Sequence, residues 1–440
     1  MEPHPIRLVV EDDLRRSRLT VFFRLILAIP HFIWFILWSI AVFVTAIVSW
    51  FIVLFIARLP QGLHTFFSAY VRYSTHLFAY LYLAANDYPG FTGEAGDYPV
   101  DVKIDKPARQ SRWRTLFRAI LAIPAVLLTG ALTGAPGGGG GGGGWESSSS
   151  NGGQDPSWWS FSGQGGVIAF AAFFGWFVCV ALARMPLGFR DLAVYGLRFS
   201  AQTTGYLLFL TDRYPNADPR DPAATQPTPE KPIGLAVTDD LSRSRLTVFF
   251  RLLLAIPHLV WLTLWGIAVF FALIVGWFAA LFTGQLPESL HRFVGAYLRY
   301  EIHVLAFLYL IANPFPGFTG TPGSYPVDVE IAPRARQNRW KTLFRFFLAI
   351  PAYVVAFGLG WALFLVAVFG WFTGLILGRM PESLRDLGAY CLRFSAQTYG
   401  YGYLLTDSYP YTGPTEYVEP EPAEPEELPA WPGPLPLPSS

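Results

Sequence analysis

Four arginines recur at one place in a repeated pattern. Arg72, Arg198, Arg299 and Arg393 each lie twelve residues beyond a proline that ends a long apolar run. An ionised group in such a setting must meet a partner, a lipid headgroup or a wet cavity. If the four share a cavity, the chemistry is passage of an ion or small molecule. If they do not, each snorkels to phosphate or bonds to carbonyls of a neighbouring helix. Asp191, Asp386, Glu301, Asn86, Asp212, Asn313 and Asp407 are the candidate internal partners. His64 and His76 stand four and sixteen residues beyond Pro60, and His291 and His303 do the same beyond Pro287; in the alternate units the later position is Gln202 or Gln397. On one helix, twelve residues leave the two imidazoles about 18 Å apart, too far to share a metal. A metal or proton-relay site could be drawn with His31 and His258, but hydrogen-bonding histidines at an interface are the default.

A second set of arginines stands twelve and six residues before an Ala-Ile-Pro proline: Arg18 and Arg24, Arg112 and Arg118, Arg245 and Arg251, Arg339 and Arg345. Basic residues flanking an apolar run are suited to anionic lipid headgroups, so these eight are headgroup-binding candidates. No catalytic residue, metal site or cofactor is expected. The Gly137 to Gly144 run has no following Lys-Ser/Thr and no strand before it, and the sequence has no Gly-x-Ser-x-Gly, His-Glu-x-x-His or nucleotide fingerprint. An enzyme is therefore not expected.

The elements that must hold these residues are apolar. The 440 residues are 52% hydrophobic, 17% aromatic and only 14% charged, a composition that points to an integral membrane protein. A net charge of +1 removes the electrostatic case for a nucleic-acid partner. Cys179 and Cys391 are far apart in apolar or helical contexts and support neither a disulfide framework nor a thiolate metal site. Met1 to Arg24 mixes acidic and basic residues and lacks a cleavable apolar core, so the first hydrophobic segment is expected to remain in the protein.

Self-comparison reveals four units in the order A-B-A-B, from two rounds of duplication. Asp13 to Arg24 returns as Asp240 to Arg251, and Tyr98 to Pro124 returns as Tyr325 to Pro351. Every unit closes on Asn or Asp, an aromatic residue and proline, as from Asn86 to Pro89 and from Asp407 to Pro410. The units span 1–93, 94–216, 233–320 and 321–413, with a Pro-rich linker at 217–232 and an acidic, Pro-rich tail at 414–440 that is expected to be disordered. The second unit departs from the pattern. Its two prolines are 62 residues apart where the others are 30 apart, and the extra stretch, about 131–162, is rich in Gly and Ser. Such a loop must attach at a surface or a wet cavity.

In the first unit Leu25 to Ala57 is uncharged over 33 residues, about 50 Å as one helix against a hydrocarbon core of about 30 Å. The insertion point maps to Ser39, Gly266 and Gly358, which predicts a flat amphipathic helix from about Leu14 to Trp38, kinked by proline, before a spanning segment such as Ile40 to Ala57. A run folded as two short passes is the alternative. The segment after the second proline, Leu63 to Ala85 and its equivalents, is long enough to return. The inter-unit stretches carry five or six Lys/Arg each, which predicts eight crossings in parallel repeats with the N-terminus, the inter-unit segments and the C-terminal tail in the cytoplasm. Four crossings with alternating units is the competing count. Ile6 to Val10, Tyr98 to Ile104, Ile233 to Val237 and Tyr325 to Ile331 alternate with a period of two and are expected to pair as short cytoplasmic strands. Trp34, Trp38, Trp50, Trp158 and Trp159 are expected to be interface anchors.

The expected fold is an all-α polytopic membrane protein of four tandem helical hairpins, with interfacial amphipathic helices and short strands. The spaced pattern of Arg-x-x-Arg or Ser-Arg before a Leu-Phe-Arg run, Ala-Ile-Pro, a second proline with its Arg-centred helix, and Thr-Asp-x-Tyr-Pro resembles the domain-of-unknown-function 4389 family of bacterial integral membrane proteins. Ser111 to Pro124, Leu197 to Pro215 and their counterparts in the fourth unit carry the likeness most closely. The resemblance extends over nearly all of residues 6–413 and implies a cell-membrane protein with no established activity. A structural or lipid-interacting assembly that grips anionic headgroups is the favoured function. A small-molecule or ion transporter built from the repeats is the alternative.

Overall fold

The structure, a computed structural model, describes residues 4–134, 166–220, 229 and 231–414. The first half contains β1 (Ile6–Val10), α1 (Arg18–Leu27), α2 (Ile29–Ile56), α3 (Gln61–Leu81), β2 (Val100–Ile104), α4 (Arg112–Thr133), α5 (Val167–Leu182) and α6 (Leu187–Leu207). The second contains β3 (Ile233–Val237), α7 (Arg245–Thr283), α8 (Glu288–Leu308), β4 (Val327–Ile331), α9 (Arg339–Leu377) and α10 (Glu382–Gly402). The insertion, from 135 to 165, and the tail from 415 lie outside the described residues, as do Trp158 and Trp159.

After its strand each unit has a long apolar helical run, divided in two in the first and second units, whose start is set by a capping side chain. Ser17, Ser111, Ser244 and Asn338 accept amide hydrogen bonds from the first turn, which satisfies donors that a helix start otherwise leaves free. The helices end on left-handed residues, Ala57, Ala183, Gly284 and Gly378. Pro124, Pro257 and Pro351 lie inside their helices. Each removes one hydrogen bond without ending the helix, because the apolar run has no better partner for its backbone.

The long helices pair antiparallel within each half. In the second half the Arg245 guanidinium donates to Ile376 O at the end of α9, and Trp277 near the end of α7 donates to Thr342 O at the start of α9. Trp176 to Val21 O and Trp50 to Thr115 O repeat this in the first half. The halves join where α9 packs on α4 and α5, with Gly358 against Val167. The four long units thus form a raft in the order A, B, B, A. On it lie the shorter return helices, α3 packed on α6 and α8 on α10. On these lie two separate two-stranded antiparallel sheets, Ile6 opposite Ile104 and Ile233 opposite Ile331.

Burial follows the layers. Ile6, Leu8, Val100 and Val102 point into the return helices and are buried, while Arg7 and Lys103 on the other face are exposed. Along α7 the buried residues Val248, Arg251, Ala255, His258, Val269, Gly276 and Ala280 form one stripe, and the rest of the surface is mostly apolar and exposed.

Several expectations need correction. The predicted change from a flat helix to a spanning one near residues 39, 266 and 358 is absent. Those small residues sit inside helices and allow close packing: Ser39 Oγ is 2.9 Å from Tyr70 Oη, and a Cβ at Gly266 would lie 3.0 Å from Tyr297 Oη. Four helices, α2, α4, α7 and α9, are long and apolar enough to cross a membrane, and the return helices are not among them. The A and B units are also not parallel, since their long helices run in opposite directions. The strand expectation holds for all four segments, with pairing confined to each half.

Candidate functional site

Every return helix ends with carbonyls that no further turn can satisfy. In each unit the second arginine of the long helix reaches them. Arg24 donates to Tyr80 O and Ala85 O, Arg118 to Tyr206 O and Thr211 O, Arg251 to Phe307 O and Ala312 O, and Arg345 to Tyr401 O and Thr406 O. All four are buried, with no more than 3% exposure, and each guanidinium lies over a ring at the same helix end, as Arg24 does over Tyr80 at 4.2 Å. A cation there also meets the negative end of the helix dipole. These four are unavailable to a headgroup in this structure. The first arginines, Arg18, Arg112, Arg245 and Arg339, are exposed at the helix starts, and the first three each bond one carbonyl at the end of the antiparallel neighbour.

One column of the repeat escaped the sequence reading. Arg16 and Arg243 in the A units, and Gln110 and Gln337 in the B units, stand two residues before the first arginine. All four are buried and bond the left-handed residue that ends the return helix: Leu83, Leu310, Phe209 or Leu404. In the A units the added positive charge is balanced by Asp12 or Asp239, each 2.8 Å away and almost fully buried. In the B units the neutral Gln leaves Arg118 and Arg345 to pair with Asp212 and Asp407 at 2.9 Å, where the A units have Asn86 and Asn313. Each version thus pairs one arginine of the cluster with a carboxylate, Arg16 or Arg243 in the A units and Arg118 or Arg345 in the B units. The signal was present as a fixed spacing, but two residue types in one column hid it.

The mid-helix arginines serve the sheets and the segments that follow the units. Arg72 Nε donates to Val102 O at 3.0 Å and Arg299 Nε to Val329 O at 3.2 Å, both on strands. Arg198 bonds Asp218 O and Arg220 O, and Arg393 bonds Gly413 O. His76 and His303 reach Asp101 and Asp328 on β2 and β4 at 2.9 Å. Burial pushes the Asp101 carboxyl up, but His76 and the amides of Gly96 and Val102 more than offset it and hold it below its ordinary range. In the B units Gln202 and Gln397 instead donate to Ile6 O and Ile233 O. After the A units the chain crosses the return helix so closely that a Cβ at Gly93 or Gly320 would lie 2.1 Å from a carbonyl oxygen.

His64 and His291 lie at the start of their return helices, where burial lowers their pKa. His31 and His258 instead bond Tyr73 and Tyr300. The proposed internal partners are divided: Asp191 and Asp386 pair with their neighbours Arg190 and Arg385, Asp386 also with Arg220, and Glu301 accepts from Tyr403 Oη at 3.2 Å. Among the described residues no three His, Cys, Asp or Glu side chains form a metal-binding group.

A protein-family model, Domain of unknown function (DUF4389), matches residues 18–92, 245–319 and 339–412, together about half of the chain. The chain belongs to this family. Each DUF4389 match begins at the first arginine of a unit and runs past its closing Asn or Asp, so it contains a long helix and its return helix and leaves out the strands. The second unit, with its insertion, is outside the matched residues, although Ser111 to Pro124 carries the same spaced pattern. No curated protein and no solved structure matches the chain.

Proposed function

We propose that this DUF4389 protein is a non-enzymatic, lipid-interacting structural element of the cell membrane. Its raft is immersed in lipid, and its basic helix ends lie against anionic headgroups. The observation that carries this reading is the raft surface: exposed apolar side chains along every long helix, with exposed Arg18, Arg112, Arg245 and Arg339 at their starts. Apolar area held in hydrocarbon and basic residues held near anionic lipid act together. A transporter would need the mid-helix arginines and histidines to face a common wet path. Instead Arg72, Arg198, Arg299 and Arg393 are engaged by backbone carbonyls at separate places, which favours the structural reading.

The test is lipid retention by the purified protein. Anionic lipid is expected to be enriched over zwitterionic lipid. Replacing all four exposed arginines by Gln is expected to weaken that preference by about fivefold per arginine, taking about 1 kcal/mol for each basic residue at the surface. Unchanged lipid selectivity in a variant of unchanged helicity would refute the headgroup role.

A further inference from the structure

We infer that the raft lies in the plane of one lipid leaflet, with both ends of every long helix and both sheets on the same aqueous side. No described segment then crosses the bilayer. This inference rests on the membrane reading above and adds an orientation to it.

The first observation is a path from the middle of a long helix to charged surface. Trp265 stands beside the midpoint of α7, and its ring centre is 5.7 Å from that of Tyr297 and 5.6 Å from that of Tyr300 on α8. Between those tyrosines Arg299 bonds Val329 O on β4, and the next strand residue, Glu330, is exposed. The first half repeats the path. Trp38 meets Tyr73 at 5.2 Å, Arg72 bonds Val102 O, and Lys103 follows on the exposed face beside the ion pair of Arg7 with Asp105, whose side chains are 46% and 53% exposed. If the long helices stood upright, their midpoints would lie at the bilayer centre. The charged faces of two small sheets would then look into hydrocarbon, where unsatisfied backbone and ionised side chains are excluded. With the helices lying flat, the same faces look into water.

The second observation is length. Outward apolar side chains are as exposed at the ends of α7 as in the middle: Leu246 70%, Leu252 76%, Phe271 61% and Phe282 73%. Leu246 and Phe282 are about 54 Å apart along the helix, against a hydrocarbon core of about 30 Å. An upright raft would leave a large part of this apolar surface in water, whereas a flat one immerses all of it.

The third is charge. Because the long helices are antiparallel, both ends of a pair are basic. Exposed Arg18 and Arg184 share one end, where Arg15 bridges Arg184 through the backbone; exposed Arg58 and Arg112 share the other, where Arg112 bonds Phe55 O. An upright pair would place similar positive charge on both sides of the membrane, against the usual asymmetry. A flat pair places it all on one side. Gly134 and Gly166, which flank the Gly/Ser insertion, lie close together halfway along a long unit, a point that in an upright raft would be the centre of the bilayer.

The test uses single cysteines at Arg58, Lys103 and Arg184 in a chain carrying Cys179→Ala and Cys391→Ala. Right-side-out and inverted vesicles from expressing cells are treated with a membrane-impermeant maleimide before and after permeabilisation. All three sites are expected to label from one and the same side, and a cysteine at Phe271 from neither until detergent is added. Labelling of the Arg58 and Arg184 sites from opposite sides, or protection of the Lys103 site from both, would overturn the flat orientation. Alkaline extraction of the same vesicles separates the two claims. Release of the protein refutes the membrane reading itself, whereas retention with opposite-side labelling refutes only the orientation.

Discussion

The second and fourth units are built to one plan, yet one long helix is unbroken and the other is divided. α9 runs 39 residues from Arg339 to Leu377, whereas α4 and α5 are separated by the insertion. The return-helix contacts are nonetheless the same: Arg118 and Arg345 each bond two carbonyls, a Gln and an Asp. Continuity at the midpoint is therefore dispensable, and what defines the unit is the buried arginine on the end of its return helix. A second contrast separates the halves. Glu301 in α8 has Ser74 at its equivalent in α3, and in the second half that carboxyl lies near the hydroxyls of Tyr297, Tyr353, Tyr399 and Tyr403.

The largest expected effect tests the shared contact. Arg118→Met and Arg345→Met should each lower stability by about 3–5 kcal/mol, since each leaves carbonyls and an aspartate buried without their cation. Unfolding in matched detergent should give nearly equal losses. A much smaller loss at Arg118 would mean that the insertion has relaxed its unit.

The next effect sharpens the contrast between halves. Burial pushes the Glu301 carboxyl up to about 7, so the folded state holds its proton after the unfolded chain has released it. Stability should then fall as pH rises from about 4.5 to about 7 and level off above. Glu301→Gln should abolish that dependence, leaving the variant about 1–3 kcal/mol more stable than the parent at pH 8 and equal to it near pH 4. The same melts performed on Ser74→Gln should show no such difference; a matching gain there would remove the distinction.

The smallest effect concerns the sheets. His76→Gln and His303→Gln introduce the residue that the B units carry at this column, and each should cost about 1 kcal/mol by weakening the bond to Asp101 or Asp328. Hydrogen exchange at Val102 and Val329 amides should speed up equally in the two variants, and unequal changes would show that the two sheets are held differently.

Much of this was legible in the residues, because repetition exposes any column with one residue type. The arginine columns, the strands and the insertion point could all be found by spacing. The arginines' partners could not. Most are backbone carbonyls, which have no sequence signature, so Arg24 and Arg118 looked the same as the exposed Arg18 and Arg112. The Arg16 and Gln110 column is hidden because its two versions carry different residue types. The relative direction of the A and B units was hidden for a related reason. Antiparallel pairing brings basic residues to both ends of the raft, so charge counted along the chain looks even and suggests parallel repeats.

The seam between the halves, where mid-α9 meets the divided helix of the second unit, has an evolutionary consequence. A shorter ancestral polypeptide of one A and one B unit would expose that seam and could close it with a twin copy of itself, forming a symmetric pair. Joining the two copies in one chain fixes their stoichiometry and frees each from having to match the other. A change then needs to be tolerated in only one copy, as with the Gly/Ser insertion in the second unit and Glu301 in the third.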